Sequence, residues 1–377
     1  MKKKRLAVIA LLTGFALVAA SCGEKKDTTT SATGDTSGAK ADKIKAAWVY
    51  IGPVNDGGWT QAHDAGRKSV ESALGDKVQT TIKENIPEDG AEAGQVIEDL
   101  IKDGNKIIFA TSFNYGKAMA AAAKAHPDVY FEHATGAETT ENLAVYYGAG
   151  EDANYLAGMA AGAATQTGKI GFVAPFPIPE VIRHINAYTL GAQASNPSAT
   201  VKVVWIKSWF DPPTEKSAAQ SLIADGADVI ASGGDSPAPG EAAKEAGVKW
   251  TGYDSDQSAN FPEIWLTAAV YDWGPYYTSR VKAALDGTWK TGSYYGDLKD
   301  GFTSIAPFGK SVTEEVKTRI EDKRKALVEG SFYEFTGPLK DQSGAEKVAG
   351  GAKLTLGDIL GMDWFVQGVE GDPTGGS

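Results

Sequence analysis

The sequence predicts an α/β protein of two Rossmann-like lobes with parallel sheets, joined by hinge strands. Three observations carry this. Short apolar, β-rich runs alternate with amphipathic stretches from Ala46 to Phe131. The same alternation restarts between Lys169 and Tyr253. The junction Leu100-Ile101-Lys102-Asp103-Gly104-Asn105-Lys106-Ile107-Ile108 is echoed by Leu222-Ile223-Ala224-Asp225-Gly226-Ala227-Asp228-Val229-Ile230, each a helix end, a glycine and a buried strand. Buried parallel strands read as unbroken apolar runs, and each helix carries the chain over to the next strand. Repetition of the whole element order points to duplicated lobes.

The first series reads as strand 46–51, helix 59–74, strand 78–84, helix 89–102, strand 106–110, helix 115–125 and strand 129–131. The second reads as strand 169–173, helix 179–193, strand 201–206, helix 214–224, strand 228–231, helix 240–246 and strand 249–253. A further strand at 266–270 precedes the point where the chain is expected to cross back between lobes.

The N-terminus carries a different message. Met1-Lys2-Lys3-Lys4-Arg5 is followed by an apolar run, 6–20, that ends in small residues. A basic head, a short apolar body and a small-residue end describe an export signal, and the run is shorter than the ~20 residues a membrane span needs. Cys22 is the single cysteine, so it has no internal disulfide partner. Its place after Ala19-Ala20-Ser21 resembles a bacterial lipobox, which implies a diacylated N-terminal cysteine at the membrane surface. The stretch after it, rich in Thr, Ser, Gly and Ala, reads as a tether.

The expected organisation is therefore a signal peptide over 1–21 and a lipidated cysteine with its tether over 22–42. Lobe 1 takes 43–148 with about 270–300, and lobe 2 takes 149–269 with about 301–365. A frayed tail, 366–377, completes the chain. A net charge of −11 argues against nucleic acid as a partner. Nine tryptophans supply rings for a ligand slot as well as for the core.

In open parallel sheets, ligands sit beyond the carboxyl ends of the strands. The loops there concentrate polar and aromatic side chains. Asn55, Asp56 and Trp59 follow the first strand, with Trp59 as a stacking platform or a ring packed under its own loop. Phe113 and Asn114 follow the third strand, and Phe176 stands in a proline-stiffened loop, either as the opposite face of a slot or as a ring packed on its own lobe. Asp235 and Asp254 end strands of the second lobe, where a carboxylate either accepts from ligand N–H or O–H groups or caps a helix. Tyr271, Asp272 and Trp273 lie at the return crossing.

As a set, these loops resemble the basic-membrane-protein family of ABC-importer receptors, which includes purine-nucleoside-binding lipoproteins. The matching stretches are the Asn55-Asp56-Gly57-Gly58-Trp59-Thr60-Gln61 start, Ser112-Phe113-Asn114, the Ile178 to Asn186 helix, Gly226-Ala227-Asp228-Val229-Ile230 and Gly252-Tyr253-Asp254-Ser255-Asp256-Gln257. The resemblance implies a type I periplasmic-binding-protein fold and uptake of a purine base or nucleoside. It implies that Trp59 stacks on the base, that Asn55 and Asp56 form a polar pair beside it and that Asp254 grips a ribose. Relatives that bind nucleosides often carry a lysine where this chain has Tyr271-Asp272-Trp273. Exchange of that cation for an acid and an indole favours a bare amino-purine such as adenine.

The expected partners are thus a small-molecule ligand, an ABC permease and a membrane reached through the lipid anchor. The protein should be a monomer on the extracytoplasmic side, without cofactor or metal. Three other readings compete, one of them a signalling sensor, which the same lobe closure would serve. A sugar receptor shares the fold, the anchor and the aromatic slot. A hydrolase is disfavoured: Gly234-Asp235-Ser236-Pro237-Ala238 lacks the closing glycine of a nucleophile elbow, and only four histidines are present. Asp254-Ser255-Asp256 lacks the glycine and closing Glu of a calcium loop.

Overall fold

The computed structural model describes residues 42–88 and 91–376. These fall within one compact unit, Gly38–Ser377. The signal segment, Cys22 and all of the tether but Asp42 lie outside the described residues.

The first lobe opens with β1 (Ile44–Val49), α1 (Trp59–Leu74), β2 (Val78–Lys83), α2 (Ala91–Lys102), β3 (Ile107–Ala110), α3 (Gly116–Ala125), β4 (Tyr130–Ala134) and β5 (Leu143–Gly148). The second lobe follows with α4 (Gly150–Ala164), β6 (Lys169–Ala174), α5 (Pro179–Ser195), β7 (Thr200–Trp205), α6 (Pro212–Ala224), β8 (Val229–Ser232), α7 (Ala238–Ala246), β9 (Lys249–Asp254) and β10 (Trp265–Tyr271). Then come α8 (Trp273–Leu285), β11 (Ser293–Gly296), β12 (Thr303–Ile305) and α9 (Glu314–Val328). The C-terminal part holds β13 (Leu339–Lys340), β14 (Glu346–Val348), α10 (Leu356–Leu360) and β15 (Val369–Glu370).

Among the described residues, two main sheets form. Their orders are β11-β5-β4-β3-β1-β2 and β12-β10-β9-β8-β6-β7-β15. Apart from β12, which runs antiparallel to β10, every pairing in them is parallel. The two sheets repeat one winding: the first strand of each lobe sits between its second and third, and the fourth and fifth extend from the third. The echoed junctions turn alike, with Gly104 at φ 87° and Gly226 at φ 96°, where glycine escapes the Cβ clash.

The chain passes between sheets three times, and this decides where the site lies. It leaves the first sheet after β5, and α4 then packs against α5 of the second lobe. It returns after β10, where α8 packs on α1, and β11 joins β5 at the edge of the first sheet. It crosses again to place β12 beside β10.

The C-terminal residues correct an expectation. Rather than fraying, Val366 and Val369 are buried, and β15 pairs in parallel with β7. Without it, β7 would end the sheet with an unpaired row of backbone donors and acceptors, and covering that edge removes the exposure. Trp205 Nε1 donates to the Asp372 carbonyl at 2.7 Å and fixes the segment further.

Candidate functional site

The two lobes meet where the β1–α1 loop faces the ends of β8 and β9. The Gly57 carbonyl accepts from Gln257 Nε2 at 2.9 Å. A Cβ on Gly58 would lie 2.3 Å from the Asp235 carbonyl oxygen, so only glycine fits this approach. Beside this contact lies a small cavity, lined from the first lobe by Ile51, Trp59, Ser112, Phe113 and Thr135. The second lobe contributes Glu180, Trp209, Asp235 and Tyr253.

Trp59 is the first residue of α1, and its indole N–H donates to the Thr111 carbonyl at 2.6 Å, which locks the ring in the wall. Phe113, at 44 % exposure, stands at the mouth. Asp235 follows β8, and the charged side chains that face it are acids: Asp254, Asp56, Glu215 and Glu88. Burial, then these neighbours, hold its carboxyl well above the usual range.

Most donors that line the cavity are already engaged. Ser112 donates its hydroxyl to Glu88, and Thr135 donates to the Ala134 carbonyl at 2.6 Å. The Tyr253 hydroxyl lies 3.2 Å from both the Tyr147 and Tyr271 hydroxyls. Trp209, by contrast, has a buried Nε1–H without a partner. The lining therefore offers carboxylate and hydroxyl lone pairs in excess and one open indole donor.

Asp254 ends β9 behind this wall. It is 1 % exposed, neither carboxylate oxygen has a hydrogen-bond partner, and its φ of 64° lies in the left-handed region. Asp tolerates that region better than most residues, yet a strained, unpartnered carboxyl is the type of feature that clusters at functional sites. Burial first, then Asp56 and Glu180, raise its pKa. The Tyr271 hydroxyl is bonded to Tyr147 at 2.9 Å, also behind the wall.

Of the residues singled out from sequence, Trp59, Phe113 and Asp235 line the cavity. Others do not converge on it. Asn55 is exposed at the loop tip. Asp56, expected to form a polar pair with Asn55 beside the ligand, is engaged in its own turn: Oδ1 accepts from the Gly58 and Gln61 amides at 2.9 and 3.0 Å, and Oδ2 from the Thr60 amide at 2.8 Å. This is capping of the α1 start. Asn114 is turned to Glu88, donating from Nδ2 at 3.0 Å. Phe176 packs on Trp209 with centroids 5.4 Å apart, and Trp209 is the ring that reaches the cavity. Asp272 caps α8, accepting from the Gly274 amide at 3.1 Å. Trp273 is buried in the first-lobe core, stacked on His63 at 4.1 Å.

The residues missed from sequence had signals. Trp209 sits in the loop after β7, a strand-end position like that of Phe113. Glu180 lies in the first turn of α5, directly after the loop that drew attention to Phe176. Tyr253 closes the strand expected over 249–253, directly before Asp254, so its strand-end place was its signal.

Two like α/β lobes, crossed by hinge segments and closing on a small aromatic, acid-rich cavity, define a type I solute-binding protein. Solved structures agree on the fold. An ABC transporter solute-binding protein from Aeropyrum pernix K1 superposes with a TM-score of 0.68 at 16 % identity, covering 79 % of this chain and 93 % of that one. One from Conexibacter woesei gives 0.63 at 20 % identity, covering 77 % and 98 %. The chain belongs to the Bmp family, described as ABC transporter substrate-binding protein PnrA-like, whose model matches residues 43–333. It is 42 % identical to a purine-binding protein of Brucella abortus over 87 % of this chain and 93 % of that one. It is 36 % identical to a candidate ABC transporter glucose-binding protein of Haloferax volcanii, over 94 % and 88 %. The chain is a transporter's substrate-binding component, not an enzyme.

Proposed function

We propose that this protein binds a purine base or nucleoside in the inter-lobe cavity, with an adenine-like base favoured, and delivers it to its ABC permease. Attachment outside the cytoplasm through a lipid on Cys22, and a monomeric state, belong to the same proposal. The observation that carries the ligand class is the imbalance of the lining: two indoles, Asp235, Glu180 and hydroxyl lone pairs, against one open donor at Trp209. An amino-purine supplies what such a wall lacks. Its flat ring suits the indole faces, its exocyclic amine and ring N–H donate, and a ring nitrogen accepts from Trp209. A nucleoside has lost that ring N–H to the glycosidic bond, which favours the free base.

The Brucella relative at 42 % identity supports a purine. The Haloferax relative at 36 % supports a second reading, a sugar, whose hydroxyls also donate to carboxylates. Calorimetric titration of refolded protein with adenine, adenosine, guanosine, inosine and D-glucose separates them. Saturable binding of adenine above the nucleosides supports the proposal. Response to glucose alone would replace the ligand while keeping the receptor.

A further inference from the structure

Behind the cavity, three tyrosine hydroxyls meet. Tyr147 is the penultimate residue of β5, just before the first crossing; Tyr271 ends β10 at the second; Tyr253, next to last in β9, stands on the cavity wall. Tyr147 is 2.9 Å from Tyr271 and 3.2 Å from Tyr253, and Tyr253 is 3.2 Å from Tyr271. Tyr147 also donates to Glu180 Oε1 at 2.9 Å, and Glu180 lines the cavity from the first turn of α5. Because the Tyr147 proton is spent on Glu180, its oxygen is the acceptor for the other two hydroxyls. The result is a directed chain from both crossings, through Tyr147, into one carboxylate at the ligand cavity.

All three tyrosines are buried. A buried hydroxyl that loses its partner carries the cost of desolvation, so the chain favours the state in which both lobes are in register. The crossing itself is built to that tolerance: a Cβ on Gly150 would stand 2.1 Å from the Tyr271 hydroxyl and 2.6 Å from His184 Nε2. The Tyr147 ring is held by the Arg183 guanidinium, 5.6 Å from its centroid, while Arg183 Nε bonds Glu151 Oε2 at 3.2 Å. The hydroxyl is thus a cross-lobe contact on a ring that stays anchored without it.

We infer that Glu180 is a ligand-recognition residue and that Tyr147 is its positioning residue, which couples the aim of that carboxylate to closure of both crossings. The inference rests on the proposed ligand site. A donor on the ligand bonds the free side of Glu180, polarises it less toward water and fixes the acceptor that Tyr147 needs. Opening the hinge would pull Tyr147 from Glu180 and Tyr253 and release the ligand.

The test is stopped-flow kinetics on the full protein with adenine and D-glucose as probes. Tyr147→Phe keeps the ring and removes the hydroxyl. It should raise the dissociation rate by about tenfold, on the scale of a lost buried hydrogen bond, with the association rate within about twofold. The double variant Tyr147→Phe/Glu180→Gln should be no weaker than the worse single variant, because both cut one chain. A dissociation rate unchanged in Tyr147→Phe, or single effects that multiply, overturns the inference. Tyr271→Phe, which cuts one arm away from the cavity wall, serves if Tyr147→Phe folds poorly; an unchanged dissociation rate there also counts against the chain. Should neither probe bind the wild type, the ligand reading fails on its own, and the relay is judged by small-angle scattering: a larger radius of gyration in Tyr147→Phe supports it, an equal one ends it.

Discussion

The Trp59 side chain has its one polar atom committed to the Thr111 carbonyl, so what remains for a ligand is carbon surface. Loss of that surface should cost about 1–3 kcal/mol of binding, the range for aromatic stacking on a base. Trp59→Ala is therefore expected to weaken adenine binding by that amount in calorimetry, and unchanged affinity would take the ring out of the site. Asp152 and Glu334 present another residue-scale case. The buried Glu334 carboxyl faces Asp152, and burial first, then Asp152 and Glu151, hold it well above the usual range. Burial first, then Glu151 and Asp297, push Asp152 up to about 7 from 3.8. Between those pH values the folded state binds more protons than the unfolded chain, so this pair makes stability fall as pH rises through the window. Glu334→Gln should then raise the melting temperature at pH 8 and change it much less at pH 5. At this scale the sequence was read unevenly. Trp59 was legible because a ring at a strand-end loop has few other uses, whereas Asp56 presents the same residue type whether it caps a helix or grips a ligand. Its three amide partners become visible only when the turn is folded.

Elements were more legible than residues. The strand and helix positions of both series match the structure within a few residues, because apolar runs and amphipathic periods are local signals. β5 and α4 were not identified. α4 is largely Ala and Gly and buried on most sides, so it lacks the polar stripe that marks a surface helix. Yet β5 and α4 carry the first crossing. The Gly150 contact with Tyr271 makes that crossing sensitive to one methyl group. Overpacking typically costs about 1–3 kcal/mol. If it falls mainly on the state with the lobes in register, Gly150→Ala should weaken ligand binding by about ten- to a hundredfold. Comparison of the dissociation constant with the ligand-free melting temperature checks this, and a loss confined to the latter would place the strain in the fold alone. The tail, expected to fray, docks on the open edge of β7, which no local pattern announces.

For the whole molecule, the proposed lipid attachment at Cys22 carries its own test. Cys22→Ser should move the protein from the membrane fraction to the soluble fraction without altering ligand affinity, and unchanged membrane association would argue for another anchor. The sequence by itself determined the α/β class, the doubled series, the acidic charge and the strand-end loops where ligands bind, because periodicity and composition are written along the chain. Only the tertiary structure decided which loops meet. It chose Trp209 over Phe176, withdrew Asp56, Asn114 and Asp272 into caps and loop bonds, and brought Glu180 to the cavity with Tyr147 bonded behind it. The reason is that three crossings set the register of one lobe against the other, and that register depends on contacts between residues far apart in the chain.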